Sequence, residues 1–164
     1  MPNKPPHPTA KSRFFESELE GAAGWAMTLC QKMWTPYTER NGRRPDFRVS
    51  YRFIPYEDGG RVQRPYQGYR SDFHYEGEDP QTDGIYMIWP EFLNPDGSVM
   101  LEDQTMVPES GEAYMWILYY DRMHDYHSER ATPGRRGWFM EGSRKVAEAT
   151  ILEQIALAEP LPAK

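Results

Sequence analysis

The chain of 164 residues has the length of a single domain and carries a net charge of -6, with 27% charged and 14% aromatic residues. No apolar run approaches the roughly 20 residues that a membrane-spanning helix needs. The first ten residues also lack the apolar stretch of a secretory signal. A single cysteine, Cys30, excludes an internal disulfide framework and a cysteine-rich metal site. We therefore expect a soluble, cytoplasmic protein without bound metal or cofactor.

The N-terminal part of the chain has two segments of different composition. Residues 1–12 are polar and rich in proline, which predicts a disordered tail. Residues 13–36 are predicted to form an amphipathic helix that Pro36 ends. Ser17 and Glu20 have the spacing of a capping box, and apolar residues follow at three- and four-residue intervals. The pattern leaves open whether this helix packs on the following domain or binds another chain.

Residues 45–156 are predicted to form one β domain, because the pattern changes to a period of two. In Phe47–Phe53, apolar and polar side chains alternate as in a half-buried strand. Asp-Gly-Gly at 58–60 and Asn-Pro-Asp-Gly at 94–97 are turn sequences. The same criteria predict further strands around 69–75, 85–89, 113–120 and 137–140, a polar loop over 121–136, and a flexible tail over 157–164.

Three blocks of this β domain resemble the third domain of bacterial elongation factor Tu. The first contains Gly-Gly-Arg at 59–61 and Gly-Tyr-Arg at 68–70. The second is Met-Val-Pro at 106–108, although Glu109 stands where that family has glycine. The third is Phe-Met-Glu-Gly-Ser-Arg-Lys-Val at 139–146. The resemblance implies a closed antiparallel β-barrel of about six strands, so that the fold is all-β with one added N-terminal helix.

The resemblance also decides the last element of the domain. Composition alone favours a helix over 146–158, whereas the family has its closing strand at this point. We therefore predict a strand over 145–154, which leaves no unpaired sheet edge there. Glycine permits positive φ and close backbone approach. We expect Gly59 and Gly60 to supply positive φ for a tight turn, and Gly68 and Gly142 to form further corners.

The family's third domain contacts tRNA, the nucleotide-exchange partner and its own GTPase domain, and the resemblance therefore implies a binding role. We predict a binding surface on this chain composed of Arg61, Arg64, Tyr66, Tyr69, Arg70, Arg135 and Arg136. No phosphate-binding Gly-Lys-Ser or Gly-Lys-Thr loop is present, so we expect no nucleotide. His74 is interpreted as a barrel side chain, and His124 and His127 as part of a solvated loop. No catalytic residue is predicted.

The distribution of charge leaves two alternatives open. Residues 40–70 contain eight arginines against three acids, whereas residues 71–121 contain twelve acids and no lysine or arginine. Strands from these blocks become neighbours in a barrel, so the charges either neutralise one another or leave an acidic face for a basic partner. The acidic block disfavours RNA, whose phosphates require positive charge.

These observations predict a non-enzymatic protein-binding module that mimics the elongation-factor domain or acts as an immunity-type antagonist. Its partner is then a basic protein or a partner of elongation factor Tu. The alternative is a tRNA- or ribosome-associated accessory factor, and a small-molecule-binding barrel is a third hypothesis. The accessory factor would contact phosphates through Arg43, Arg44, Arg61, Arg64 and Arg70.

Overall fold

The computed structural model describes residues 33–161. The predicted tail at 1–12 and most of the predicted helix at 13–36 lie outside the described residues. Of that helix only residues 33–36 are described, and there Met33 forms an isolated β-bridge with Glu102. Within the described part of the chain, no helix has the length and apolar character needed to cross a membrane.

The described residues form six strands and two short α-helices. The strands are β1 (Phe47–Phe53), β2 (Asp72–Tyr75), β3 (Ile88–Phe92), β4 (Ser110–Ile117), β5 (Arg136–Glu141) and β6 (Arg144–Gln154). The helices are α1 (Tyr37–Asn41) and α2 (Tyr120–Ser128), and short 3-10 turns lie at Tyr56–Asp58 and Ala156–Ala158. All strand pairs are antiparallel, and they form one sheet in the order β2-β5-β6-β1-β4-β3 that curves into a half-barrel.

Strand β1 lies near the middle of the sheet and supplies much of the core. Its side chains alternate as predicted, with positions 47, 49, 51 and 53 buried. The ring of Tyr51 lies 5.1 Å from that of Phe92 and 6.0 Å from that of Phe139, measured between centroids. Aromatic pairs at such distances add stabilisation beyond the area that they bury. The core is therefore an aromatic cluster on the concave face.

Strand β6 confirms the prediction of a strand at the end of the domain, against its helix-favouring composition. It pairs with β1 on one side and β5 on the other. Ala147 lies opposite Phe53 on β1 and Phe139 on β5, so a small side chain stands between two large rings. Pairing on both sides satisfies the backbone of β6, and this tertiary context outweighs its local propensity.

The two outer strands of the sheet have few free backbone groups. The amides of Phe73 and Tyr86 each donate to the other's carbonyl, at 2.7 and 2.8 Å, which links β2 to the residues just before β3. Further along β3, the side chain of Gln67 accepts from the Phe92 amide (2.9 Å) and donates to the Phe92 carbonyl (3.0 Å). Pro90 between them has no N–H. Such features prevent an edge strand from pairing with another chain.

The prediction of a polar loop over 121–136 is wrong for the first half of that segment, where the chain forms α2. The prediction of a solvated histidine pair is also wrong, because His124 and His127 are 5% and 1% exposed. The α2 helix packs His127 against Tyr75 and Tyr86. His74 is buried in β2, as expected of a barrel side chain.

Residues 157–164 were predicted to be a flexible tail, but the first residues of this segment pack against the domain. Leu157 is buried and its amide donates to the Asp46 carbonyl at 3.3 Å. The carbonyl of Glu159 lies 2.8 Å from His124 Nε2. Residues 157–159 therefore pack against the domain, and residues 162–164 lie outside the described part of the chain.

Positive φ is present at three of the four glycines assigned to turns. The angles are 93° at Gly59, 90° at Gly68 and 58° at Gly142. The expectation of positive φ at Gly60 is wrong. Instead, a Cβ at Gly60 would lie 1.8 Å from the carbonyl oxygen of Ile54, so this position requires glycine because of a close backbone approach.

Candidate functional site

A corner of the chain between β1 and β2, residues 59–69, contains four of the seven residues predicted to bind a partner. Two of the four hold the corner in place. The guanidinium of Arg61 pairs with Glu141, and its Nε donates to the Gln63 carbonyl at 2.9 Å. The hydroxyl of Tyr69 donates to the same carboxylate at 2.7 Å. Burial raises the pKa of Tyr69 to about 12, so this hydroxyl stays a donor at neutral pH.

The other two predicted residues of the corner, Arg64 and Tyr66, are exposed. They lie beside Val62, which is 80% exposed, and Met106, which is 37% exposed. Tyr66 forms an isolated bridge with Met106, and the Gln63 amide contacts the Met106 sulfur at 3.3 Å. We call this set, Val62, Gln63, Arg64, Tyr66 and Met106, the corner surface.

Two hollows adjoin the corner surface. Val62 lines both hollows. One hollow, of about 310 Å³, lies between Val62, Met106 and the end of β1 at Phe53. The other, of about 280 Å³, lies toward Glu141 and Arg144. The exposed Val62 side chain can contact a partner while the hollows accept the partner's side chains, as shape-complementary interfaces require.

The remaining three predicted residues contact other parts of the sheet. Arg70 lies over the Trp89 ring, 4.3 Å from its centroid. Arg135 donates to Glu78 at 3.3 Å and lies over the Tyr75 ring. Arg136 pairs with acids on either side of it, Glu76 at 3.5 Å and Glu148 at 3.7 Å. Each of these three arginines therefore contacts an aromatic ring or a carboxylate of the domain itself, outside the corner.

The acidic block at 71–121 is paired in part with arginines from the rest of the chain. Glu78 accepts from Arg130 at 3.1 Å as well as from Arg135. Glu112 pairs with Arg48 at 2.8 Å. Of the twelve acids in the block, four pair with arginines of the described residues, namely Glu76, Glu78, Glu109 and Glu112. The charge of the block is therefore neutralised in part.

Three of the five arginines considered as phosphate contacts also have carboxylate partners. Arg43 lies 2.5 Å from Asp46, and Arg44 lies 2.5 Å from Glu159. The third, Arg61, pairs with Glu141. A guanidinium that already holds a carboxylate adds little to phosphate binding, because the two anions compete for it.

Sequence reasoning missed a second site, which is organised by a buried acid on the outer face of β3. Glu91 is fully buried. One of its carboxylate oxygens accepts from the Trp34 indole (2.8 Å) and the Tyr37 amide (2.7 Å). The other accepts from the Trp116 indole (3.1 Å). The signal in the sequence is an acidic residue inside an otherwise apolar strand.

A cleft of about 340 Å³ lies beside this carboxylate, and we call it the aromatic cleft. Helix α1 contributes Tyr37 and Asn41, strand β3 contributes Trp89, and the chain after β4 contributes Tyr119 and Tyr120. Arg43 also lines the cleft, with its guanidinium 4.4 Å from the centre of the Tyr120 ring. Some of the chain's tryptophan and tyrosine side chains therefore lie outside the core.

A third polar cluster is enclosed within the domain. The hydroxyl of Tyr75 lies 3.0 Å from Nδ1 of His127, and Tyr86 binds both Tyr126 and Glu78. Burial lowers the pKa of His127 to about 4, so the ring is neutral at pH 7. The described residues contain no group of three potential metal-ligating side chains. This cluster fixes α2 to the sheet.

Comparison with known proteins adds no family to this description. No protein-family model matches the sequence. A search of curated proteins also finds no significant match. The described residues define a protein with a six-stranded antiparallel half-barrel, an exposed apolar corner and an aromatic cleft.

Proposed function

We propose that this protein is a non-enzymatic, cytoplasmic protein-binding module whose domain is a closed β-barrel similar to the third domain of elongation factor Tu. Two contacts support closure of the sheet. The Phe73–Tyr86 pair joins its two outer strands by backbone hydrogen bonds, and Gln67 covers the backbone of Phe92 on β3. A sheet whose edges are joined or covered has no free strand for self-association.

The corner surface is the binding site in this proposal, and its exposed apolar residues carry the argument. Val62 is 80% exposed. Tyr66 and Met106, which are also exposed, extend the same apolar surface. Tyrosine, methionine and arginine are enriched in protein interfaces. Because Glu141 fixes the corner through Arg61 and Tyr69, little conformational freedom is lost when a partner binds.

The partner is proposed from the resemblance together with the position of the corner surface. The Gly-Gly-Arg and Gly-Tyr-Arg blocks flank this surface directly. A protein that recognises the third domain of elongation factor Tu would meet a similar corner here, so the chain is a mimic or an immunity-type antagonist. The pairing of Glu78 and Glu112 with arginines weakens the case for a purely basic partner.

Binding of tRNA is the less favoured function. Of the arginines proposed for phosphate contact, Arg43, Arg44 and Arg61 have carboxylate partners. Arg64 and Arg70 form no ion pair with another described residue, and two separate cations give little affinity for RNA at physiological salt.

Affinity capture with three forms of the protein tests this function. The tagged wild type is compared with Val62→Asp, which places a charge on the corner surface, and with Leu101→Asp, a control at another exposed apolar position. We expect a defined protein that the wild type and Leu101→Asp retain and Val62→Asp loses. Recovery of RNA alone by the wild type, or equal capture by all three, contradicts the proposal.

A further inference from the structure

The corner surface carries a local positive charge on a chain whose net charge is -6. Residues 59–70, which contain most of this surface, have three arginines and no acid. One of the three, Arg64, is exposed and forms no ion pair with another residue of the described part of the chain. A surface whose charge is opposite to that of the whole chain is selective for anionic groups of a partner.

The larger of the two hollows combines this charge with apolar surface. Arg64 lines it together with Val62 and Met106. The acid in its lining, Glu109, has a cation of its own, because it lies 3.6 Å from Arg52. The charge of Arg64 is therefore available beside two exposed apolar side chains.

The smaller hollow has an excess of positive charge for a different reason. Two arginines share one acid there, since one oxygen of Glu141 accepts from Arg61 and the other accepts from Arg144 at 2.6 Å. Two guanidiniums and one carboxylate leave a formal charge of +1. The side chain of Arg144 is 50% exposed against 30% for Arg61, which also donates to the Gln63 carbonyl. Arg144 is therefore the cation of this pair that a partner can reach.

We propose that the partner of the corner surface is a protein that presents an apolar side chain between two carboxylates. This inference rests on the proposed function and specifies the partner's chemistry at the same site. The apolar side chain packs against Val62, which lines both hollows. One carboxylate pairs with Arg64 in the larger hollow and the other with Arg144 in the smaller one. Complementary charges of this kind give specificity and speed association.

Other partners fit the same surface less well. A basic protein would place its cations against Arg64 and Arg144, and like charges at an interface are unfavourable. RNA would supply anions, but two cations give it little affinity at physiological salt. RNA also leaves the exposed Val62 and Met106 without an apolar counterpart, whereas an acidic protein segment matches both the charge and the apolar surface.

Three nonapeptides added to the full-length, 15N-labelled protein test this recognition. The probe is Gly-Ser-Gly-Glu-Leu-Glu-Gly-Ser-Gly, and its two controls replace both glutamates by glutamine or the leucine by serine. We expect the probe to produce saturable shifts of the Val62 and Gln63 amide signals. Each control should bind about fivefold more weakly at low ionic strength, because it lacks either the ion pairs or the apolar contact. Equal binding of the probe and the glutamine control overturns the proposal.

Variants of the protein test the two cations separately. Arg64→Gln and Arg144→Gln should each weaken probe binding about threefold at low ionic strength. The control Arg122→Gln, which removes an exposed arginine of α2, should bind like the wild type. Thermal unfolding of Arg144→Gln should resemble that of the wild type, since Arg61 and Tyr69 still hold Glu141. Unchanged affinity in both corner variants contradicts the proposal.

Affinity capture separates a failure of this inference from a failure of the proposed function. We expect the double variant Arg64→Gln/Arg144→Gln to lose the protein that the wild type captures and Val62→Asp loses. If the double variant retains that protein, the corner still binds a partner but does not select it by its acids. If wild type and Val62→Asp capture the same proteins, the proposed function itself is wrong.

Two further outcomes would assign the surface to another occupant. Shifts of the Val62 signal at a lower concentration of an oligouridylate than of the probe would indicate RNA and overturn the proposal. The chain also has a Glu-Leu-Glu sequence of its own at positions 18–20. Equal probe affinity of the wild type and the double variant Glu18→Gln/Glu20→Gln supports a partner protein. If only the variant binds the probe, the assignment to a partner is overturned.

Discussion

Phe73 and Tyr86 exchange two backbone hydrogen bonds, although the strands that they join stand at opposite ends of the hydrogen-bonded sheet order. If this pair closes the barrel, its amide protons are as well protected as those of the central strand. We expect Phe73 and Tyr86 to exchange with solvent deuterium as slowly as Val49 in β1. Amide exchange followed by NMR measures this directly. Fast exchange at both positions with slow exchange at Val49 would show an open half-barrel.

Gln67 is expected to be one of the most sensitive polar residues for stability. Its side chain forms hydrogen bonds with both backbone groups of Phe92 and with the carbonyl of Met100. Gln67→Leu leaves the buried Phe92 amide without a partner, and should lower the free energy of unfolding by about 2–3 kcal/mol. The exposed Gln81→Leu is the control, with a change within about 0.5 kcal/mol. Urea unfolding of the two variants gives the comparison, and equal stability would contradict this role for Gln67.

Gly59 and Gly60 are adjacent but should respond differently to alanine. Gly59 has φ 93° with open space around it, so Gly59→Ala costs only backbone strain, about 1 kcal/mol. At Gly60 the new Cβ would lie 1.8 Å from the Ile54 carbonyl oxygen, and that backbone must move. We expect Gly60→Ala to cost about 3 kcal/mol or more. Chemical denaturation measures both, and a larger effect at Gly59 would be inconsistent with the described corner.

His127 should make stability depend on pH in the mildly acidic range. Burial, with a smaller effect of Arg130, lowers its pKa from 6.5 to about 4. The unfolded state therefore binds a proton at a higher pH than the folded state does. Stability from this group is complete above about pH 6.5 and falls as the pH drops toward 4, by up to about 3 kcal/mol. Burial also lowers the pKa of His74, which acts in the same direction.

The matched variant for this prediction is His127→Gln, which retains a polar side chain opposite the Tyr75 hydroxyl but cannot be protonated. Its free energy of unfolding should be less dependent on pH between 6.5 and 4 than that of the wild type, as measured by urea unfolding at several pH values. A wild-type stability that rises as the pH falls through this range would reverse the predicted sign.

Much of the sheet could be predicted from the sequence, because burial on one face imposes a period of two. This signal is clear in β1, and turn sequences separate it from its neighbours. Helix α2 was missed because its sequence, Tyr120–Ser128, has no apolar stripe. Its buried residues are His124 and His127, and histidine is a polar residue that by itself does not predict a buried position. Their partners, Tyr75 and the carbonyl of Glu159, are distant in the sequence.

The candidate site was predicted only in part, because its contacts also join residues that are distant in the sequence. Glycine-dependent turns were predicted at positions 59–60 and 68, but the sequence does not show which side chains between them face outward. Arg61 and Tyr69 both turn to Glu141, which lies more than 70 positions further along the chain. Val62 carried no motif, and Met106 was noted only as part of the Met-Val-Pro block. They form one exposed surface only because the fold brings them together.

Site-specific photocrosslinking tests the central claim, that the corner surface binds a protein. A photoreactive phenylalanine analogue is placed at position 62 and, as a control, at position 101, and the protein is irradiated in its own cells. The account predicts a protein adduct at position 62 that is absent at position 101. Adducts to RNA alone, or the same protein adducts at both positions, would contradict it.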